Sequence, residues 1–260
     1  MNGKVRHSLR LTAMLYLLDY GAGNIQSLAN SLTKLGYTYE WVREPSDISK
    51  ADKLLFPGVG SFASAMDALH AKGYVEPLRA YIQSGKPLMG ICVGMQVLFE
   101  GSDESPGVQG LGIVPARVGR FATQDAFGRK AVPHMGWSLA NVVEWDGCAD
   151  QRHELAKSYG MHDANPSHYY FVHSYRVAWD ANVAEWALTT TQYGNEIFVS
   201  SIQHANVFAT QFHPEKSGQA GLDLLAAWLQ LEHVEPTTRV GRPVSSTEHM
   251  PTRRIVACLD

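Results

Sequence analysis

A chain of 260 residues with 45% hydrophobic and 18% charged side chains can bury one sizeable core, which excludes disorder along its whole length. A formal charge of -3 without a long basic run gives no electrostatic ground for nucleic acid or a membrane surface as partner, leaving small molecules and proteins. The three cysteines, Cys92, Cys148 and Cys258, are far apart and lack metal-ligand spacing, so neither a disulfide framework nor a metal site is expected, no cofactor is called for, and a reducing compartment fits best.

Residues 1–12 form an N-terminal extension. Lys4, Arg6, His7 and Arg10, with no acidic residue among the first eighteen, share the composition of organellar import leaders, to be weighed against a cytoplasmic default. The apolar run Leu11 to Leu18 is far short of the roughly 20 residues that span a bilayer, and it runs into a turn as a buried strand would. Ala13 to Leu18 therefore reads as a parallel strand. Gly21-Ala22-Gly23-Asn24 follows, then a helix with Ile25, Leu28, Leu32 and Leu35 on one face, capped by Asn24 and ended by Gly36. The unit repeats: Tyr37 to Val42 is extended, Lys53 to Phe56 is a short strand, and Pro57-Gly58-Val59-Gly60 turns into a helix beginning near Ser61. Two more helical stretches precede the buried strand Pro87 to Ile91. Alternating strands and helices imply an α/β fold with a mostly parallel sheet, whose ligand sites gather at the carboxyl ends of its strands.

From about Ile113 the pattern changes to short extended runs: Lys130 to Leu139, His168 to Val177, Glu185 to Thr190, Ile197 to Gln203 and Asn206 to Phe212. These are expected to extend or flank the sheet with antiparallel strands. Cys148 to Pro166 shows no recognisable role, and His153 and His162 within it read as solvated. Gly221 to Leu231 reads as a closing helix with Leu222, Leu225, Ala226 and Leu229 facing inward, which bounds the domain at 13–232. Residues 233–252 read as a linker, and 253–260 hold an apolar strand for which the chain supplies no neighbours.

Gly90-Ile91-Cys92-Val93-Gly94 follows a buried strand and precedes an apolar stretch, Met95, Val97, Leu98 and Phe99, read as a helix. This is the nucleophile-elbow pattern with cysteine in place of serine. Glycines relieve crowding at the turn, and a helix N-terminus favours the reactive thiolate. On this pentapeptide alone, a buried inert cysteine stays an equal reading. The run Asn206 to Phe212 leads into His213-Pro214-Glu215, where a period of two aligns an imidazole with a carboxylate, a base with its orienting acceptor. Two glycines in Pro57 to Gly60 leave backbone amides free, so Val59 with Val93 can form an oxyanion hole.

Together these segments resemble the class I glutamine amidotransferases, and within that family the glutaminase branch of imidazole glycerol phosphate synthase in histidine biosynthesis. The motifs are LLDYGAGN (17–24), PGVGSF (57–62), GICVGMQVLFEGS (90–102), PHMGW (133–137), YFVHSY (170–175) and QFHPEKSG (211–218). The resemblance implies a flavodoxin-like α/β fold of amidotransferase type and hydrolysis of L-glutamine to glutamate and ammonia. It implies Cys92 as nucleophile, His213 as base and Glu215 as its orienter. Gly58, Gly60, Gln96, Glu100 and the segment His173, Ser174, Tyr175 would hold glutamine, although for His173 and Tyr175 packing is an equal reading. Pro133, His134, Met135, Gly136 and Trp137 would face the partner, where Ser138 replaces the usual asparagine. Residues 254–260, RIVACLD, resemble the first strand of the cyclase (β/α)8 barrel that receives the ammonia. Three other readings stay open: the glutaminase subunit of an anthranilate- or aminodeoxychorismate-type synthase, a non-catalytic docking module, and a cysteine hydrolase of another substrate.

Overall fold

The computed structural model describes residues 13–21, 25–126, 128–143, 149–161 and 167–231. The extension 1–12, Asn24, Cys148, His162, the linker and the strand at 254–260 lie outside the described residues, as does the side chain of His153.

The first half alternates strands and helices in the order β1 (Leu15–Leu18), α1 (Gln26–Lys34), β2 (Glu40–Val42), α2 (Pro45–Lys50), β3 (Lys53–Gly58), α3 (Phe62–Ala71), α4 (Val75–Gln83) and β4 (Leu88–Cys92). A one-turn helix, α5 (Val93–Gln96), leads into β5 (Phe99–Ser102) and β6 (Val114–Arg120). Short strands follow: β7 (Gln124–Asp125), β8 (Gly128–Arg129), β9 (His134–Leu139) and β10 (Asn141–Val142). Helix α6 (Ala149–Ser158) precedes β11 (His168–His173), β12 (Tyr175–Arg176), β13 (Ala187–Tyr193), β14 (Glu196–His204) and β15 (Val207–Thr210), and α7 (Gly218–Gln230) closes the domain.

The main sheet has eight strands in the order β10-β13-β14-β15-β4-β3-β1-β2. From β2 to β15 the pairings are parallel, and beyond β15 they are antiparallel. Strands β3 and β4 are buried along their full length, as expected of central parallel strands covered on both faces. Separate ribbons pair β9 with β11 and β6 with β5 and β12.

Several expectations are corrected. The stretch after Gly94 is one helical turn rather than a helix running to Phe99, because the carbonyls of Val97 and Leu98 accept hydrogen bonds from Leu111 and Ile113 and so are lost to a continuing helix. Between α3 and β4 there is one further helix, not two, while α2 was not expected at all. Helix α1 starts at Gln26 after Ile25, and Gly36 adopts a φ of 80° past its end, as a terminating glycine should. Helix α7 begins at Gly218 and buries Leu224, Leu225, Trp228 and Leu229, with Leu222 and Ala226 only half buried. The unassigned stretch after Cys148 contributes α6, and Tyr159 at its end stacks on Phe208 and donates to the Gln203 side chain at 2.8 Å.

Lys53, at the start of β3, is buried. Its Nζ reaches the carbonyls of Trp228, Leu229 and Leu231 at 3.1, 2.7 and 2.5 Å, so a cation meets the negative end of α7. Lys53→Met should lower stability by about 1–3 kcal/mol, since it strands buried acceptors, and the urea unfolding midpoint reports it.

Candidate active site

Strand β4 lies between β3 and β15, all three parallel, so their carboxyl ends open on one edge. Gly58 stands opposite Cys92 in register, and Thr210 stands opposite Ile91, three residues before His213. Three distant stretches of sequence thus meet at that edge.

Cys92 ends β4 with φ 56° and ψ -110°, a strained conformation for a residue with a side chain. The flanking glycines permit it. A Cβ at Gly94 would sit 1.9 Å from the Phe56 carbonyl oxygen, and one at Gly90 would sit 2.8 Å from the Gly94 oxygen. Because α5 is a single turn, it supplies free backbone amides rather than a developed dipole.

His213 is buried, and its Nδ1 lies 2.7 Å from Glu215 Oε1. Its Nε2 is also buried and has no aligned hydrogen-bond partner in the protein, while the ring interacts electrostatically with the Cys92 sulfur. Burial disfavours the imidazolium, but the charge on Cys92, together with the Glu215 hydrogen bond at Nδ1 and the Glu215 charge, outweighs it and raises the pKa to about 10. The turn carrying these residues is anchored twice to β11: His213 N–H donates to the Tyr170 carbonyl at 2.9 Å, and the Tyr170 N–H donates to Ser217 Oγ at 2.9 Å.

His134 and His173 behave in the opposite way. Their rings meet at 3.3 Å inside a cluster of Phe121, Phe171, Tyr193 and Phe198. Burial, together with Lys130 for His134 and His134 for His173, lowers their pKa values to about 4 and about 3. His134 Nε2 lies 3.0 Å from Ser138 Oγ, and His173 Nδ1 donates to the Tyr175 carbonyl at 2.8 Å. Of the five residues expected to face a partner, Met135 and Trp137 are 62% and 54% exposed and Pro133 is exposed, whereas Gly136 is half buried and His134 faces inward. The inward turn of His134 is a consequence of strand alternation in β9.

Of the residues expected to hold substrate, Gly58 stands at that edge opposite Cys92, and Gln96 is tied to it through Gln211. Gly58 is buried, and a Cβ there would fall 2.5 Å from the Gly94 nitrogen and 2.7 Å from the Tyr20 hydroxyl. Val59 is half exposed, Val93 is buried, and Gly60 is exposed with φ 99°. Tyr20 was not anticipated. Burial and the Cys92 charge raise the pKa of its hydroxyl, against which the Val59 N–H acts. Glu100 is exposed on β5, and Ser174 and Tyr175 are half buried. Gln96 is buried and donates to the Tyr175 carbonyl at 3.0 Å and to Gln211 Oε1 at 2.9 Å; Gln211 Nε2 in turn lies 3.7 Å from Cys92 Sγ. Gln211 has no role assigned from the sequence, although it opens the QFHPEKSG motif and precedes His213 by two positions, the spacing that links His213 with Glu215.

The family profile described as glutamine amidotransferase class-I matches residues 16–229. The chain is 45% identical over 249 residues to a protein of Emericella nidulans named imidazole glycerol phosphate synthase hisHF, covering 95% of this chain and 43% of that relative. It is 41% identical over 218 residues to the Methanothermobacter thermautotrophicus protein named imidazole glycerol phosphate synthase subunit HisH, covering 84% of this chain and 98% of that one. The chain thus spans less than half the length of the fused relatives. Among solved structures, PurLQS from Thermotoga maritima has the same fold with a TM-score of 0.59 at 16% identity, covering 84% of this chain and 98% of that one.

The pH dependence of stability follows from these histidines. His213 has a folded pKa of about 10 against 6.5 unfolded, so its contribution is complete below pH 6.5 and lost as pH rises towards 10. His134 and His173 have depressed values, so theirs is present above 6.5 and lost as pH falls towards 4 and 3. Urea unfolding across pH should show a maximum between these limits, and Glu215→Gln should flatten the alkaline limb while leaving the acid limb in place.

Proposed function

Given that this chain belongs to the class I glutamine amidotransferase family, we propose that it is the glutaminase of an imidazole glycerol phosphate synthase, hydrolysing L-glutamine and passing ammonia to a cyclase. The observation that carries this reading is the meeting, at one sheet edge, of a strained Cys92 with His213, itself bonded to Glu215. Its support beyond the family comes from relatives named for that synthase, which align over most of this chain, including the fused hisHF proteins of fungi. The domain occupies 13–232, with 233–252 as linker and 253–260 as the start of the cyclase barrel.

In this mechanism the Cys92 sulfur attacks the side-chain amide carbon of glutamine. The amides of Val59 and Val93 hold the resulting oxyanion. The high pKa of His213 keeps it protonated, so it can give its proton to the departing nitrogen and release ammonia. The neutral imidazole then takes a proton from water, which attacks the glutamyl thioester, and glutamate leaves as the thiol is restored. Glu215 keeps Nδ1 occupied so that Nε2 faces the chemistry. Both Gln96 amide hydrogens are engaged by Tyr175 and Gln211, leaving its Oε1 to accept from the substrate ammonium. Glu100, Gly58, Gly60 and the segment 173–175 complete the glutamine site.

Met135 and Trp137 on β9 are proposed as the docking face for the cyclase, with Pro133 beside them. A reducing compartment suits a free thiol nucleophile, which fits cytoplasm. The Arabidopsis relative is named chloroplastic, so an organellar site fits as well.

The test is glutamate release with and without an added cyclase and its ligand. Turnover should be low for the chain alone, rise when both are added, and vanish in Cys92→Ala. Appreciable turnover indifferent to the cyclase and its ligand would remove the synthase assignment, and turnover surviving Cys92→Ala would remove the mechanism.

A further inference from the structure

We propose that Gln211 is a further catalytic residue, whose side-chain amide donates a hydrogen bond to the Cys92 sulfur and is held in that sense by Gln96. The inference rests on the reading above only in taking Cys92 as the nucleophile.

The direction of every hydrogen bond in this chain is set at its far end. The Tyr175 carbonyl can only accept, so the Gln96 group 3.0 Å away must be its NH2. The second hydrogen of that NH2 points to Gln211, 2.9 Å away, which must therefore present its oxygen. A flipped Gln211 would set two NH2 groups against each other. With Oε1 committed, Nε2 is left facing the sulfur at 3.7 Å, as a donor. Gln211 is 0% exposed and Gln96 4%, so no water competes for these groups and a reversed amide would go unsatisfied.

The sulfur benefits from such a donor before any substrate arrives. Among the described residues the amide of Gln211 is a side-chain donor aligned on the sulfur. A donated N–H favours sulfur carrying negative charge over neutral thiol. The same side chain also braces Gln96, so one residue ties the nucleophile to a glutamine-holding group. Gln211 follows directly on β15 and lies two residues before His213, and the pairing of Thr210 with Ile91 brings this segment alongside the residue before Cys92.

The experiment is alkylation of Cys92 by iodoacetamide in the full chain, followed by mass spectrometry of the Cys92 peptide. Glutamine is not needed. At pH 7, Gln211→Leu should slow alkylation about tenfold. Gln211→Glu should slow it further by placing an anion beside the sulfur, and both deficits should close at alkaline pH, which a steric block would not do. Circular dichroism establishes that each variant is folded. Should either fail to fold, Gln96→Met, which removes the donor that orients Gln211, is expected to slow alkylation in the same direction. Folded variants alkylating at the wild-type rate at pH 7 would overturn the proposal. Slowed alkylation in a protein that never turns over glutamine would keep Gln211 on the sulfur and retire the glutaminase reading instead.

Discussion

The site depends on a close backbone approach between β3 and the first turn after β4, where a side chain at Gly94 would begin 1.9 Å from the Phe56 carbonyl oxygen. Only a glycine fits there. Gly58 on β3 and Gly90 on β4 are also confined, with the nearest atoms 2.5 and 2.8 Å from a Cβ, so the turn is pressed against the neighbouring strand and the chain reverses sharply at Cys92. A φ of 56° at a residue with a side chain costs on the order of 1–3 kcal/mol and persists only because the surroundings over-determine it. The result is a sulfur held at the carboxyl edge of the sheet, beside the glycine loop and the start of α5. Every chemical property of the site is downstream of that packing.

Electrostatics then divides three buried histidines into two kinds. His134, His173 and His213 are each almost fully excluded from solvent, and burial alone would make all three neutral. His134 and His173 have each other, aromatic rings and nearby cations, and they stay neutral. His213 has a carboxylate on one side and a sulfur on the other, and it becomes the cation. Residue type is the same in each case; the sign of the neighbouring charge decides the outcome.

The exposed strand β9 is close to this chemistry through backbone rather than side chains. Trp137 pairs with Tyr170 in the β9–β11 ribbon, and Tyr170 bonds through its carbonyl and amide to the turn bearing His213 and Ser217. A backbone ladder therefore separates the large exposed apolar side chains from the His213 imidazole by one strand. Ser138 Oγ lies 3.0 Å from His134 Nε2, so this hydroxyl is engaged inside the protein.

The alternating α/β order, the central strands, and the elements bearing Cys92, His213-Pro214-Glu215 and the glycine loop are legible in the residues alone, because apolar runs, glycine turns and a period of two are local properties of the chain. The sequence also marks Gly36 and Ser61 as helix boundaries, where capping depends on near neighbours. Tertiary structure decided what local pattern could not. The helix after Gly94 stops after one turn because Leu111 and Ile113, distant in sequence, take its carbonyls. The inward face of α7 carries Leu224 and Trp228 in place of the expected Leu222 and Ala226. Tyr20 and Gln211 join the site only through partners on other elements. Such long-range contacts are set by how elements pack, and packing depends on all faces at once, which no single stretch of sequence encodes.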